Sequence, residues 1–256
     1  MTLEICVDDI AGLDAAIAGG ADRVELCAAL ALGGLTPSPS LIAAATSTPI
    51  PIHLLARPRE GGFHYTARET AMIAGDITAA AEAGLAGVVI GASLADHTLD
   101  TDTLAALILH AEAAGRSRGR ALSLTLHRAI DLCPDMAAAL DAAIALGFHR
   151  VLTSGGAPKA IDGLDMLGAL HRRAAGRIIL LAGSGIDADN VAAFVDAGIT
   201  EVHASCGTIA CDAADRPDAD DRERRFGFTT AGQRRTDVAR IQAIKTVLGT
   251  MLHQHA

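Results

Sequence analysis

Apolar and polar residues alternate along short segments of this chain, and the first two segments share one pattern. The order apolar, Glu, apolar, Cys occurs at residues 3–6 and again at residues 24–27. Because side chains alternate between the two faces of a strand, the glutamate and the cysteine of each segment share one face. Residues 8–19, between the two segments, have apolar residues at helical spacing and end at Gly-Gly. The pattern predicts a βαβ unit with parallel, neighbouring strands.

The same strand-and-helix rhythm recurs along the chain. Alanine-rich helical stretches follow the apolar strands and often end in Ala-Gly or Leu-Gly, which is typical C-cap chemistry. The predicted strands cover residues 3–6, 23–27, 50–56, 87–91, 121–127, 150–153, 177–183 and 200–203, and the clearest helices cover residues 68–82, 101–114, 136–146 and 187–196.

Eight βα units in a chain of 256 residues predict an α/β fold of the (β/α)8 TIM-barrel type. We expect one domain over residues 1–256, because this length and 50% hydrophobic residues suit one large core. A doubly wound open sheet is the alternative. It is disfavoured because the turn after the first strand, residues 6–9, has no glycine for a phosphate-binding loop.

Composition narrows the possible partners and the location. A formal net charge of −9 argues against a nucleic-acid binder. We expect no membrane association, because no apolar run approaches the roughly 20 residues that a membrane-spanning helix needs. No secretory signal is evident, and five cysteines, an odd number, are typical of reduced thiols. These features predict a cytoplasmic protein.

One stretch interrupts the rhythm. Residues 211–235 are rich in Asp, Arg, Pro and Gly, and they predict a long mobile surface loop before a last helix over residues 236–252. The alternative is a lid over the active-site face of the barrel, in which Arg222, Arg224 and Arg225 help to hold an anion.

Polar residues follow the inward face of the predicted strands. The outer face of a barrel packs on helices and should be apolar, so the polar face should point inside. Residues such as Ile5, Leu26 and Leu124 occupy the apolar face. The polar set comprises Glu4, Cys6, Glu25, Cys27, His53, Arg57, Ser123, Thr125, His127, Glu201, His203 and Ser205.

Small residues at the ends of three strands predict an anion-binding site. Barrels often bind phosphate at the loops after strands seven and eight, where backbone N–H groups converge. Glycine also serves tight turns that hold no ligand. The candidates are Ser154 after strand six, Gly183 and Gly185 after strand seven, and Ser205 after strand eight.

Eight short segments of the chain match a known family, namely residues 3–6, 20–27, 33–38, 57–59, 127–129, 151–155, 182–185 and 201–203. By these segments the chain resembles the CutC family of copper homeostasis proteins from its first strand to at least Ser205. The resemblance implies a TIM barrel in the cytoplasm and a role in copper homeostasis, with Cys6 and Cys27 as ligands of copper(I).

Two functional hypotheses follow. The first is copper(I) binding or handling by Cys6 and Cys27, since a soft metal ion prefers thiolate ligands. The second is an enzyme that performs acid–base chemistry on a small phosphorylated or otherwise anionic metabolite. The partner would be a copper ion in one case and that metabolite in the other. In both cases a homodimer or larger homo-oligomer is the default expectation.

The enzyme hypothesis assigns roles to the remaining polar residues. Glu4 or Glu25 would act as the base, and His127 as acid or base. Arg57 and Arg23 would hold the anion. Glu4 has an alternative reading as the buried ion-pair partner of an arginine, because a buried carboxylate needs a cation.

Overall fold

The computed structural model describes residues 1–209, 222, 225–226 and 234–254. Eight parallel strands close into a barrel in chain order, so the predicted TIM barrel is confirmed. Its last strand pairs with its first through Glu4 and His203, which face each other across the closure. The strands are β1 (Thr2–Val7), β2 (Arg23–Leu26), β3 (Ile52–Leu55), β4 (Gly87–Ile90), β5 (Ser123–Leu126), β6 (Arg150–Thr153), β7 (Ile179–Gly183) and β8 (Glu201–Ala204).

Helices connect successive strands around the outside of the barrel. The first turns of most of them are fixed by side-chain caps, such as the reciprocal hydrogen bonds of Thr66 and Glu69 at the start of the third helix. Short 3-10 helices span Leu30–Leu32, Arg128–Leu132 and Ala160–Gly163. The α-helices are α1 (Ile10–Ala18), α2 (Pro39–Ala45), α3 (Ala67–Glu82), α4 (Thr101–Ser117), α5 (Met136–Ala145), α6 (Leu164–Ala174), α7 (Val191–Asp196) and α8 (Val238–Gln254).

The two faces of the strands bury different chemistry. Ile5 and Leu26 belong to the main apolar core, which joins the outer face of the barrel to the helices. Cys6 and Cys27, each one position further along the chain, form a separate buried cluster with Leu55 and Val89. The predicted division between an apolar outer face and a polar inner face is therefore confirmed for these strands.

Several predicted boundaries shift. The third strand covers Ile52–Leu55 rather than residues 50–56, and the fifth covers Ser123–Leu126 rather than residues 121–127. The flanking residues lie in loops beyond the ladder. Helix α7 begins at Val191, because the Asp187 side chain accepts hydrogen bonds from the backbone N–H groups of Asp189 and Asn190 and forms a turn there.

The predicted loop over residues 211–235 is wrong at its end. Strand β10 (Arg234–Thr236) pairs antiparallel with β9 (Gly207–Ile209), directly after the eighth barrel strand. Within the segment the structure also describes Arg222, Arg225 and Phe226, which are exposed, and the Phe226 N–H donates to the Arg222 carbonyl at 3.0 Å. The rest of this prediction, including the part of the lid that contains Arg224, lies outside the described residues. Helix α8 begins after Asp237, whose side chain accepts from the N–H of Ala239. No helix in the described ranges is long and apolar enough to cross a bilayer.

Candidate functional site

A cavity of about 940 Å³ opens at the carboxyl ends of the barrel strands. Active sites of TIM-barrel enzymes lie at this end. Its lining comes from the loops after β1, β2, β3, β5, β7 and β8, together with β10. The structure brings six of the sequence-predicted residues to this lining, namely Cys6, Glu25, Arg57, His127, Gly185 and Ser205.

A network of buried charges surrounds Glu4. Arg23 donates from Nε to Glu4 Oε2, and from Nη2 to Glu201 Oε2 at 2.6 Å. Burial alone would raise the pKa of Glu4, but Arg23 and His203 hold it well below its usual range. This arrangement matches the alternative reading of Glu4 as a structural ion-pair partner. Because Arg23 is committed to two carboxylates, its proposed role in holding a substrate anion is not supported.

His203 joins this network to the cavity. Its Nδ1 lies 2.8 Å from Glu4 Oε1, and its side chain contributes to the lining. Burial would lower the pKa of His203, but hydrogen bonds with Cys6 and Glu4 and the nearby carboxyl of Glu25 raise it well above the usual value. The sequence indicated only that this residue faces inward, and its pairing with Glu4 depends on the closure of the barrel.

Glu25 is the buried carboxyl group that lines the cavity. Its Oε1 accepts from Cys27 Sγ at 3.4 Å, whereas its Oε2 is buried without a hydrogen-bond partner in the described part of the chain. Burial and the nearby Glu4 carboxylate raise the pKa of Glu25 to about 7. Both protonation states are therefore populated near neutral pH, as general acid–base catalysis requires.

His127 differs from Glu25 because its side chain is a neutral hydrogen-bond donor rather than a titrating carboxyl group. Its Nδ1 accepts from the backbone N–H of Ala129 at 3.1 Å, which assigns the ring proton of the neutral form to Nε2. This Nε2 is buried and contacts no acceptor among the described residues. Burial and the charge of Arg57 lower the pKa of His127 to about 3. His127 is thus a neutral hydrogen-bond donor at the cavity.

Arg57 fixes loops around the cavity. Its Nη1 donates to the carbonyl oxygens of Leu32 at 2.9 Å and Gly34 at 2.7 Å, and its Nη2 donates to that of Gly61 at 3.0 Å. The guanidinium lies 5.4 Å from the ring centroid of Phe63, whose ring centroid is in turn 4.5 Å from that of His127. Among its nitrogens only Nε is buried without a partner in the described ranges. Arg57 therefore acts mainly as a support for these loops.

The two cysteines that follow the glutamates share a buried cluster but differ in access. Cys6 contributes to the cavity lining and its Sγ donates to the Ala204 carbonyl at 3.7 Å, whereas Cys27 is completely buried. Burial and the carboxyl of Glu25 raise the pKa of Cys27 well above its usual value. Cys27 is therefore a thiol at neutral pH. The described cysteines Cys6, Cys27, Cys133 and Cys206 are all free.

Harder metal donors also meet inside the barrel. One oxygen of Glu4, one oxygen of Glu25 and one nitrogen of His203 lie within 4.8 Å of one another. Among the described residues, this is the group in which three potential metal ligands come together. Oxygen and imidazole donors suit zinc or manganese better than copper(I). Two members of this set are already bonded to each other, and Glu4 is also bonded to Arg23, so the set is not open for a metal ion.

The turn after β7 carries unusual backbone geometry. Ser184 has φ +97° and Gly185 has φ +70°, and both residues line the cavity. A positive φ at a non-glycine residue is strained, and the Ser184 Oγ helps to hold the turn by donating to the Pro158 carbonyl at 2.7 Å. In the described part of the molecule, the N–H groups of Ser184, Gly185 and Ser205 donate to no protein acceptor.

The other predicted anion-binding residues have structural roles. Ser154 is fully buried, and its Oγ donates to the Ala157 carbonyl at 2.5 Å and accepts from Arg128 Nη2 at 2.8 Å. Gly183 packs against Leu152, which leaves no room for a side chain. Of the small residues predicted to bind the anion, Gly185 and Ser205 are the members that reach the cavity.

Comparison with known proteins identifies the family. The model of the CutC family matches residues 1–208. A CutC family protein from Rhizobium meliloti (strain 1021) is 49% identical over 249 residues, which covers 97% of this chain and 96% of the relative. A CutC family protein from Caulobacter vibrioides (strain NA1000 / CB15N) is 47% identical over 249 residues, which covers 96% of each protein.

Solved structures give the same result. The crystal structure of CutC from Streptococcus agalactiae, which is named for copper homeostasis, has a TM-score of 0.73 and 29% identity, and it covers 80% of this chain and 98% of its own. A 2,3-dimethylmalate lyase has a TM-score of 0.59 at 16% identity and shares the fold alone. By its sequence and its structure, this chain belongs to the CutC family.

Proposed function

We propose that this chain is an enzyme that performs acid–base chemistry on a small anionic metabolite in the barrel cavity. The observation that carries the proposal is the pair of Glu25 and His127. Each lines the cavity with a buried polar atom, Oε2 or Nε2, that has no partner in the described ranges. A buried polar atom without a partner costs free energy, so it calls for a functional explanation. A bound substrate would supply both partners.

The two groups have complementary protonation. The ionised form of Glu25 would remove a proton from a carbon next to a carbonyl group of the substrate. His127 would donate a hydrogen bond from Nε2 to the carbonyl oxygen, which gains negative charge as the proton leaves. The protonated Glu25 would then return the proton at a second position of the substrate. The sequence is a proton transfer with no net oxidation or reduction.

The strained turn after β7 supports binding of the substrate anion. The N–H groups of Ser184, Gly185 and Ser205 would donate to phosphate or carboxylate oxygens. Arg234, on β10, lines the same cavity, and its side chain makes no hydrogen bond or ion pair with the described residues, so its charge is available to the anion. Glu4 and Arg23 would serve this site as its buried support.

Solvent-hydrogen exchange tests the proposal directly. Phosphorylated and carboxylated carbonyl metabolites would be incubated with the protein in D2O, and incorporation of deuterium next to the carbonyl would be followed by NMR. We expect Glu25→Gln to lower the exchange rate by at least about 100-fold, a typical loss when general acid–base catalysis is removed. The control is Glu60→Gln, which changes an exposed glutamate. Exchange at wild-type rate in Glu25→Gln would refute the assigned role.

Copper(I) handling in the cytoplasm is a second candidate. It is supported by the shared cluster of Cys6 and Cys27 and by the name of the related CutC protein from Streptococcus agalactiae. Two thiolates suit the soft copper(I) ion. Binding would have to remove the proton of the fully buried Cys27, whose pKa is raised, and this requirement makes copper the weaker candidate.

A copper(I) titration against a competing chelator under reducing conditions tests this candidate. The wild type would be compared with the double variant Cys6→Ser, Cys27→Ser. The control is Cys133→Ser, which changes another buried free cysteine. Stoichiometric binding that disappears only in the double variant supports copper handling. Binding that persists in the double variant excludes these thiols as the ligands.

A further inference from the structure

We propose that the substrate of this cavity is amphipathic, with an anionic group at the turns after β7 and β8 and an apolar chain or ring that packs on Leu32 and Leu132. This inference rests on the proposed enzymatic function and specifies its substrate class. It depends on two features of the cavity that come from different loops of the barrel.

The first feature is an exposed apolar surface inside the cavity, which we call the apolar wall. Leu32 and Leu132 line the cavity, and each is 49% exposed. Leu30 and Phe63 also line the cavity and are packed against neighbouring core residues. Large aliphatic side chains exposed at the rim of a polar site favour contact with an apolar ligand group.

The apolar wall is preformed. The 3-10 helix that carries Leu32 lies between Ala29, with φ +50°, and Gly33, with φ +82°. A left-handed alanine is strained and persists only where the surroundings fix it. Arg57 supplies this constraint by donating to the carbonyls of Leu32 and Gly34. The loop therefore holds Leu32 at the cavity, although the half-exposed side chain gains little free energy from burial there.

Leu132 is held by a second set of polar contacts. It ends the 3-10 helix Arg128–Leu132, in which Arg128 Nε donates to Asp131 Oδ2 at 2.6 Å. The same carboxylate accepts from the backbone N–H of Ser154 at 3.0 Å, which ties this helix to the loop after β6. A fixed apolar side chain lowers the entropy that ligand binding would otherwise cost.

The barrel separates the apolar wall from the anion-binding turns. In a closed ring of eight strands in chain order, β2 lies two strands from β8 and β5 lies two strands from β7, so neither leucine is next to these turns. The apolar wall comes from the loops after β2, β3 and β5, whereas Ser184 and Ser205 follow β7 and β8. Glu25 and His127 line the same cavity. A ligand that contacts both sides therefore lies beside both catalytic candidates.

Three phosphate probes test the inference by NMR titration or calorimetry: inorganic phosphate, glycerol 3-phosphate and phenyl phosphate. We expect phenyl phosphate to bind about tenfold more tightly than glycerol 3-phosphate, since a few buried apolar atoms give this discrimination. Leu32→Ala and Leu132→Ala should each weaken phenyl phosphate by about fivefold and leave inorganic phosphate unchanged. The control is Met72→Ala, which shortens an exposed apolar side chain on α3.

The outcomes separate this inference from the proposed function. If all three probes bind equally and the leucine variants change nothing, the inference is overturned while the anion site stands. If no probe binds, the anion-binding turns of the proposed function fail together with the inference. If the leucine variants lower the mass of the protein in solution without affecting phenyl phosphate, the apolar wall is an interface between two copies of the chain, and the inference is wrong.

Discussion

Glu4 and Glu25 lie on neighbouring strands inside the same barrel, yet their environments move their pKa values in opposite directions. Arg23 and His203 hold the pKa of Glu4 well below its usual range. Burial and the Glu4 carboxylate raise the pKa of Glu25 to about 7. When the pKa values of two neighbouring carboxyl groups differ in this way, one group can act in an active site as a fixed charge and the other as a proton carrier.

The raised pKa of Glu25 predicts a specific dependence of stability on pH. The folded protein holds this proton more tightly than the unfolded chain, whose pKa is near 4.5. The stabilising contribution is therefore fully present below pH 4.5 and is lost as the pH rises through about 7. We expect the free energy of unfolding to fall by about 3 kcal/mol over this range in the wild type relative to Glu25→Gln.

Urea denaturation at a series of pH values measures this difference. The glutamine retains an oxygen that can accept from Cys27 Sγ, so the main change is the loss of the titrating proton. Glu60→Gln, at an exposed position, should give a curve parallel to that of the wild type. Parallel curves for Glu25→Gln and the wild type would show that Glu25 titrates normally.

Removal of Arg23 should destabilise the protein strongly. Arg23→Met removes the cation that Glu4 and Glu201 share inside the barrel, and among the described residues Glu201 Oε2 keeps only its contact with Arg150 Nε at 3.3 Å. Loss of one partner of a buried ion pair costs about 3–5 kcal/mol. Arg173→Met removes an exposed ion pair with Asp141 and should cost less than about 1 kcal/mol. Chemical denaturation compares the two variants, and similar losses would contradict a special role for the buried network.

The barrel and its inner polar face could be predicted because both follow from patterns of apolar and polar residues that repeat over a few positions of the chain. Alternation along each strand placed Glu4 with Cys6 and Glu25 with Cys27 before any pairing was known. The same local pattern could not distinguish the two glutamates, because both occur in the same four-residue pattern. Their difference arises from Arg23, which pairs with Glu4 across β1 and β2, and from the closure of β8 against β1, which brings His203 to Glu4, 199 residues apart along the chain.

Loop geometry was the other feature that the sequence did not reveal. Arg57 was predicted to hold an anion, but most of its hydrogen bonds go to backbone carbonyls of two loops. Those acceptors carry no residue-specific signal in the sequence. The left-handed conformations of Ala29 and Ser184 could not be predicted from the sequence either, because neither residue type favours them. Both conformations determine where the cavity-lining loops lie.

His127 should remain neutral in the folded protein across the physiological pH range. Its folded pKa of about 3 lies below the ordinary value of 6.5. The neutral ring therefore contributes stability above pH 6.5, and this contribution is lost as the pH falls toward 3. We expect 15N NMR to show a neutral ring protonated at Nε2 between about pH 5 and 8.

His203 provides an internal comparison in the same spectra. Its pKa is raised well above the usual value, so its ring should carry both protons at pH 7, in contrast to His127. Titration of His127 near pH 6.5 would contradict its assignment as a neutral hydrogen-bond donor.

Gly91 should be required for the position of the His127 ring. A Cβ atom at Gly91 would overlap the Cε1, Nδ1 and Nε2 atoms of that ring, whereas a Cβ atom at Gly62 would contact nothing within 4 Å. Gly91→Ala must therefore displace the imidazole from its hydrogen bond with the Ala129 N–H. We expect a loss of about 1–3 kcal/mol in the free energy of unfolding, typical of overpacking.

The same substitution should separate the position of His127 from its chemistry. In Gly91→Ala, the 15N spectrum should show the His127 ring in a changed environment, and the solvent-exchange reaction should slow. Gly62→Ala, in a cavity-lining loop, should leave both measurements unchanged. If exchange in Gly91→Ala proceeds at the wild-type rate although the ring has moved, then His127 does not assist the proton transfer and Glu25 acts without it.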